Sequence, residues 1–208
     1  AELRRDYLQA SLDPSDVDAN PLEQFRLWYE EQKLTTSSEP NAMTVATATA
    51  DGRPSARVVL LKHWDHDGFV FFSSYNSPKG RDIEENPRAA LLFYWAETER
   101  QVRIEGPVTP TDRPEAEAYF HSRPRGSQIA ANFARQSQPV ASRDELQQEI
   151  DELTERFEGQ DVAIPETWGG FRVHPERIEY WQGRSSRLQD RVQYTHSGDR
   201  WEIVRLAP

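Results

Sequence analysis

The 208-residue chain contains no cysteine. Disulfide bonds and thiolate chemistry are therefore excluded, and any redox activity would have to come from a bound cofactor. No apolar run approaches the roughly 18 residues that a membrane-spanning helix needs. No signal peptide pattern opens the sequence either. These absences predict a soluble protein of the cytoplasm.

Basic residues are outnumbered, with 25 Lys and Arg against 35 Asp and Glu and a formal net charge of −10. Such a surface repels nucleic acids and anionic membranes, so neither is expected as a partner. The five histidines show no H-x-x-x-H spacing, and we predict no metal site. Aromatic residues, in contrast, reach 11% and include six Trp, which is enough for a real core.

The residue pattern predicts a mainly β fold with helices, in which short antiparallel strands form a barrel. Residues 1–19 are polar and are predicted to be a mobile N-terminal arm, and residues 20–208 a single domain. Asp51-Gly52 is a typical hairpin turn between two of the strands. The predicted strands are residues 42–50, 55–62, 69–73, 89–95, 101–108, 170–173, 177–181, 191–194 and 201–206.

Capping residues predict the helices between these strands. Asn20-Pro21 begins a helix that ends near Lys33, and Ser142 with Glu145 forms a capping box. The other predicted helices are residues 78–86, 111–122 and 127–135.

Residues 179–191 carry the most informative pattern. Trp181 is followed by Arg187, Gln189 and Arg191 at alternate positions, and these three side chains would share one face if the segment is extended. Two guanidinium groups and an amide beside an indole suit a planar, anionic, aromatic ligand. A solvated edge strand with scattered arginines is the alternative interpretation.

Two further segments suit phosphate. In R-V-V-L-L-K, Arg57 and Lys62 flank an apolar strand that could lie along a flat ring system. In S-P-K-G-R, a helix begins and combines unpaired backbone N–H groups with the charge of Lys79. An ordinary barrel strand and a plain helix cap are the respective alternatives.

The segment Y-F-H-S-R-P-R-G-S could form a second phosphate site. Tyr119 and Arg123 are four residues apart, which predicts that they stack on one helix face, and Ser127 follows a turn. Gln101 and Gln136-Ser137 are weaker signals that usually indicate turn or surface residues.

Taken together and in this order, these segments resemble the pyridoxine/pyridoxamine 5′-phosphate oxidase family. The resemblance extends from L-R-R-D-Y to the terminal R-L-A-P and includes W-G-G-F-R-V, I-E-Y-W-Q-G and R-L-Q-D-R. It implies an FMN-binding split β-barrel that works as a homodimer with two sites at the subunit interface. It also implies oxidation of pyridoxamine or pyridoxine 5′-phosphate at C4′ to pyridoxal 5′-phosphate, with hydride passing to FMN and dioxygen reduced to hydrogen peroxide.

The resemblance also implies which residues bind each ligand. Implied FMN contacts are Arg57, Val58, Val59, Leu60, Leu61, Lys62, Phe72, Ser73, Lys79, Gln101, Gln136, Ser137, Trp181 and Arg191. Implied substrate contacts are Lys62, Tyr119, Arg123 and Ser127 around the phosphate, Arg187 and Gln189 over the pyridine ring, and Arg4 and Tyr7 in the arm. Arg187 is the implied catalytic residue, which holds the substrate over the flavin ring and shapes the charge at C4′.

The chain departs from the family pattern at two positions. Pro78 stands where many members have a basic residue, and Gln189 stands where many have His. Glutamine can form hydrogen bonds but cannot take up a proton near neutral pH. Two alternatives stay open: a related flavin oxidase acting on another aromatic compound such as a phenazine precursor, and a non-catalytic flavin- or pyridoxal-phosphate-binding protein.

Overall fold

The computed structural model describes residues 10–35, 39–133 and 136–208, so the predicted contacts Arg4 and Tyr7 lie outside the described residues. The described chain is mainly antiparallel β with flanking helices, as predicted. Its strands are β1 Ala42–Ala48, β2 Pro54–Leu60, β3 His63–Asp65, β4 Gly68–Ser74, β5 Arg88–Trp95, β6 Arg100–Pro110, β7 Trp168–Val173, β8 Arg177–Gln182, β9 Asp190–Ser197 and β10 Arg200–Leu206. Its helices are α1 Pro21–Thr35, α2 Pro78–Glu85, α3 Arg113–Ser122, α4 Arg125–Ala131 and α5 Arg143–Arg156.

Strand β6 joins the two parts of the sheet. The main path runs β10-β9-β8-β6-β5-β1-β2, and the far end of β6 pairs instead with β7, which continues to β4 and β3. Gly106 lies where β6 changes partner, and a Cβ atom there would collide with the carbonyl oxygen of His174. Glycine is therefore required at this close approach of two backbones.

Helix α1 covers one end of the main core. Phe25 is fully buried, and its ring lies 5.0 Å from that of Phe69 and 5.1 Å from that of Phe93. The buried hydroxyl of Tyr180 donates to the carbonyl oxygen of Pro21 at 2.6 Å, which fixes the start of the helix against β8. Asn20 and Pro21 begin this helix as the sequence predicts.

A second, smaller core lies on the other face of β4. It contains Phe120 of α3, Ile129 of α4, Val162 and Trp168, with Leu153 and Phe157 of the α5 region packed against it. Adjacent residues of a strand point to opposite faces, so Phe71 belongs to the main core and Phe72 to the smaller one. Strand β4 thus contributes side chains to both cores.

Three local predictions are wrong. Residues 63–65 lie outside every predicted strand, but they form the short strand β3, which pairs with β4. Helix α3 begins after Asp112, whose side chain accepts a hydrogen bond from the backbone N–H of Glu115 at 2.8 Å, and not at Thr111. Helix α4 begins two residues earlier than predicted and ends at Ala131.

The condition for a face shared by Arg187, Gln189 and Arg191, an extended segment, is not met. Residues Ser185–Arg187 form a 3-10 turn, and both Ser186 and Arg187 have positive φ values, of 58° and 62°. Strand β9 begins only at Asp190, so Arg187 and Gln189 do not share a strand face with Arg191. No helix in the described ranges is long and apolar enough to cross a membrane.

Candidate functional site

Two cations and two buried hydroxyl groups form what we call the first cradle: Arg57, Ser73, Ser77 and Lys79. Lys79 is only 8% exposed, and its Nζ donates to Ser73 Oγ at 2.9 Å and to Ser77 Oγ at 3.4 Å. Burial, followed by the charge of Arg57, lowers the pKa of Lys79. Strand β4 and the start of α2 thus hold an ammonium group whose acceptors here are two hydroxyl groups.

Arg57 is fixed by the strand beside it. Its guanidinium donates to Thr47 Oγ1 at 2.7 Å and to the Ser55 hydroxyl. Asp82 of α2 accepts from Thr47 at 2.5 Å and from Ser55 at 3.0 Å, and lies 3.9 Å from Arg57. Burial lowers the pKa of Arg57 as well. Two cations and one carboxylate leave the first cradle with a net positive charge suited to an anion.

The side chains of R-V-V-L-L-K alternate between two faces, as the pairing of β2 with β1 shows. Arg57 and Val59 stand opposite Val45 and Met43, which are buried, whereas Val58 is 68% exposed. Leu61 lies in the main core, and Leu60 shares the outer face with Val58. Gln136 lies near the first cradle, because its Oε1 accepts from the backbone N–H of Ser74 at 3.3 Å, and Ser137 follows with a φ of 63°.

A second group, which we call the second cradle, consists of Lys62, Phe72, Tyr119, Arg123 and Trp168. The rings of Phe72 and Tyr119 stack with centroids 4.1 Å apart, and Lys62 Nζ lies 5.8 Å from the Tyr119 centroid. The guanidinium of Arg123 lies 4.8 Å from the Trp168 centroid. A cavity of about 450 Å³ opens here, lined in part by Lys62, Phe72 and Tyr119.

Arg123 has an unsatisfied buried donor in the second cradle. Its NH1 atom is buried and has no hydrogen-bond partner among the described residues, and burial lowers its pKa. A buried donor without an acceptor costs free energy, and this cost is recovered if a ligand supplies the acceptor. Arg123 follows α3 with an extended backbone, so the predicted helix-face pairing with Tyr119 is wrong, although both side chains reach Trp168. Ser127 is the third residue of α4, which begins at Arg125.

Gln101, Trp181 and Arg191 form a row across the outer face of the sheet. They stand opposite one another on β6, β8 and β9. Arg191 donates to both carboxylate oxygens of Glu179, at 2.8 and 3.1 Å, and these hydrogen bonds raise the pKa of Arg191. This row lies on the opposite sheet face from the side chain of Arg57 and several strands away.

Sequence reasoning missed four residues that shape the site. Thr47, Ser55 and Asp82 hold Arg57, and Trp168 forms the floor under Arg123. Trp168 could have been found, because it opens the motif W-G-G-F-R-V. Asp82 could not, because its role depends on contacts with residues 35 and 27 positions away.

Comparison with known protein families covers nearly all of the chain. Residues 30–157 match the family model described as Pyridoxamine 5′-phosphate oxidase, and residues 168–208 match the Pyridoxine 5′-phosphate oxidase C-terminal dimerisation region. The pyridoxine/pyridoxamine 5′-phosphate oxidase of Rubrobacter xylanophilus is 55% identical over 208 residues, which cover 100% of this chain and 96% of that protein. Its counterpart in Trichormus variabilis is 52% identical over 209 residues, which cover 100% and 98%.

Solved structures agree on the fold. PhzG from Burkholderia lata, in complex with tetrahydrophenazine-1-carboxylic acid, has a TM-score of 0.88 at 29% identity and covers 96% of this chain and 100% of that one. A pyridoxamine 5′-phosphate oxidase-related, FMN binding protein from Nostoc punctiforme has a TM-score of 0.74 at 16% identity and covers 92% and 100%. The latter likeness concerns the fold alone.

The fold is thus a split β-barrel of the pyridoxamine 5′-phosphate oxidase type, as the resemblance implies. The chain belongs to the pyridoxine/pyridoxamine 5′-phosphate oxidase family.

Proposed function

We propose that this protein oxidises pyridoxamine and pyridoxine 5′-phosphate to pyridoxal 5′-phosphate with FMN as cofactor and dioxygen as electron acceptor. The observation that carries the proposal is the buried NH1 of Arg123, which has no hydrogen-bond partner among the described residues and belongs to the same cradle as Lys62 and Tyr119. A phosphorylated substrate supplies the missing acceptor, and full-length relatives at 50–55% identity carry the corresponding name.

The first cradle fits the phosphate of FMN. Arg57 and Lys79 supply the charge, and Ser73 and Ser77 supply hydroxyl groups within reach of Lys79. The backbone that follows Arg57 would lie along the flavin ring. Val59 and Leu61 point into the core, and Lys62 stands at the far end. FMN held there would supply the two-electron redox chemistry that links oxidation of the substrate at C4′ to reduction of dioxygen to hydrogen peroxide.

The second cradle fits the substrate phosphate, which Lys62, Tyr119, Arg123 and Ser127 would bind. Arg187 is assigned to the pyridine end, where it orients the ring and favours the charge that develops near C4′, and Gln189 stands two residues further along the same loop. Pyridoxamine phosphate then loses its amine after water adds to the oxidised carbon, and pyridoxine phosphate gives the aldehyde directly. The protein supplies orientation and electrostatics.

A homodimer would complete each site. Gln101, Trp181 and Arg191 occupy the outer sheet face, away from the first cradle, so one chain would provide the cradle and its partner the row. The same face exposes Val58 and Val204, and residues 168–208 match a dimerisation region. A fully active monomer in analytical ultracentrifugation would contradict this arrangement.

The test is aerobic turnover of pyridoxamine 5′-phosphate by the FMN-loaded protein, measured as hydrogen peroxide and pyridoxal 5′-phosphate formed in equal amounts. Arg123→Met should raise KM about tenfold or more, because a charge-assisted hydrogen bond to phosphate is lost. FMN affinity should stay unchanged, because Arg123 belongs to the second cradle.

Arg125→Met is the matched control, since Arg125 is an exposed arginine two residues away whose NH2 donates to the carbonyl oxygen of Phe157. Its kinetics should equal those of the unchanged protein. No peroxide from either phosphorylated substrate would refute the proposal. Turnover of a carboxylated dihydrophenazine, insensitive to Arg123→Met, would favour the alternative oxidase.

A further inference from the structure

The loop that presents Arg187 is closed by a side chain. Gln189 Oε1 accepts a hydrogen bond from the backbone N–H of Arg184 at 2.6 Å, in a partly buried position. Within the loop, the N–H of Leu188 also bonds to the carbonyl oxygen of Ser185, at 3.3 Å. The amide oxygen of Gln189 is therefore engaged with the backbone of its own loop.

The base of this loop is anchored to the rest of the chain. Arg184 NH1 donates to the carbonyl oxygen of Ala10 at 2.7 Å. Asp190 accepts from the backbone N–H of Leu12 at 3.1 Å and from Arg205 NH1 at 2.8 Å. Leu12 is itself buried in the main core. Both ends of the loop are thus held, and the hydrogen bond from Arg184 to Gln189 joins them.

The tip of the loop is exposed and conformationally unusual. Ser186 and Arg187 both adopt the left-handed backbone region, which disfavours residues with a side chain. Two such residues in succession persist only where the surrounding structure enforces them. Arg187 is exposed, and none of the described residues forms an ion pair with it. The loop therefore presents a guanidinium group at the tip of an enforced turn.

We infer that Gln189 is a positioning residue for Arg187: it closes the turn through its amide oxygen and does not contact the substrate. This inference rests on the proposed function, in which Arg187 binds the pyridine ring. It assigns to Gln189 a role that needs only a hydrogen-bond acceptor and no proton transfer.

The test compares Gln189→Met, which keeps the length but loses the acceptor, with Gln189→Glu, which keeps an acceptor oxygen. In the FMN-loaded full-length protein, Gln189→Met should lower kcat/KM for pyridoxamine 5′-phosphate about tenfold, the loss of roughly one hydrogen bond. The kcat/KM of Gln189→Glu should stay within about twofold of that of the unchanged protein. Neither change should alter the Kd of FMN. The backbone amide of Arg184 should exchange with deuterium faster in the Met variant alone.

A double-mutant cycle with Arg187→Leu decides whether Gln189 acts through Arg187. In the Arg187→Leu background, Gln189→Met should have no further effect on kcat/KM. Gln148→Met, on the exposed face of α5, is the control and should change neither kinetics nor exchange. The inference would be overturned if Gln189→Met and Gln189→Glu lowered kcat/KM equally. It would also be overturned if Gln189→Met kept its full effect on kcat/KM in the Arg187→Leu background. If the unchanged protein oxidises neither substrate, the proposed function fails. If the backbone amide of Arg184 exchanges with deuterium at the same rate in Gln189→Met as in the unchanged protein, the closed turn is refuted independently.

Discussion

Lys79 is buried and Arg123 is half-buried, each at a cost that the described chain does not fully offset. Lys79 has only hydroxyl acceptors, and Arg123 has a buried nitrogen without any acceptor among the described residues. Cations in such positions usually titrate abnormally or bind an anion, and functional sites are where these perturbations concentrate. They mark the two cradles more clearly than any sequence motif does.

Lys79 should make FMN affinity depend on pH. Because burial lowers the pKa of Lys79 in the free protein, the ammonium loses its proton at a lower pH than an ordinary lysine. A bound phosphate favours the ammonium form, so affinity should be constant below the free-protein pKa and fall as pH rises through it. Titrations of the apoprotein with FMN from about pH 7 to about pH 10 measure this dependence.

Lys79→Met is the informative variant for this prediction. It should weaken FMN binding about tenfold or more at neutral pH and flatten the alkaline dependence, because the titrating group is gone. Lys33→Met, at an exposed site on α1, should leave both properties unchanged. An equally steep alkaline fall in Lys79→Met would show that another group causes it.

At the scale of elements, helix α1 closes one end of the main core. Phe25 is fully buried, and its ring contacts four others, those of Trp64, Phe69, Phe93 and Trp95. The exposed face of the same helix includes Leu27, which is 45% exposed. Stability should therefore depend on one face of this helix.

Phe25→Ala should lower the free energy of unfolding by about 3–5 kcal/mol, because the cavity cannot close among rigid rings. Leu27→Ala should change it by less than about 1 kcal/mol. Urea unfolding at one protein concentration, with FMN saturating, measures both values. Similar losses for the two variants would mean that α1 is not docked through Phe25.

The elements also show which features a sequence can reveal. Helix starts at Pro21, Pro78 and Arg143 follow from capping residues a few positions away, so they were predictable. The loop before β9 was not, because an alternating pattern does not show that Gln189 captures the N–H of Arg184. The contact of Asp82 with Thr47 likewise requires the packing of α2 on β1.

At the scale of the whole molecule, the candidate site residues fall into two sets in different parts of the sheet. The two cradles adjoin β4, whereas Gln101, Trp181 and Arg191 cross the strands β6, β8 and β9. The sequence motifs and the family resemblance indicated all of these residues except Trp168, but spacing could not show that they occupy different parts of one chain. The proposed homodimer would bring the two sets together, and residues 168–208 match a dimerisation region.

The most direct measurement is the visible spectrum of the FMN-loaded protein under nitrogen, before and after one equivalent of pyridoxamine 5′-phosphate. We expect the flavin absorption bands to bleach and to return on admission of air, with pyridoxal 5′-phosphate released. Arg187→Leu should retain FMN but bleach far more slowly. A flavin spectrum unchanged by the substrate, or a protein that does not retain FMN, would contradict the proposed oxidation.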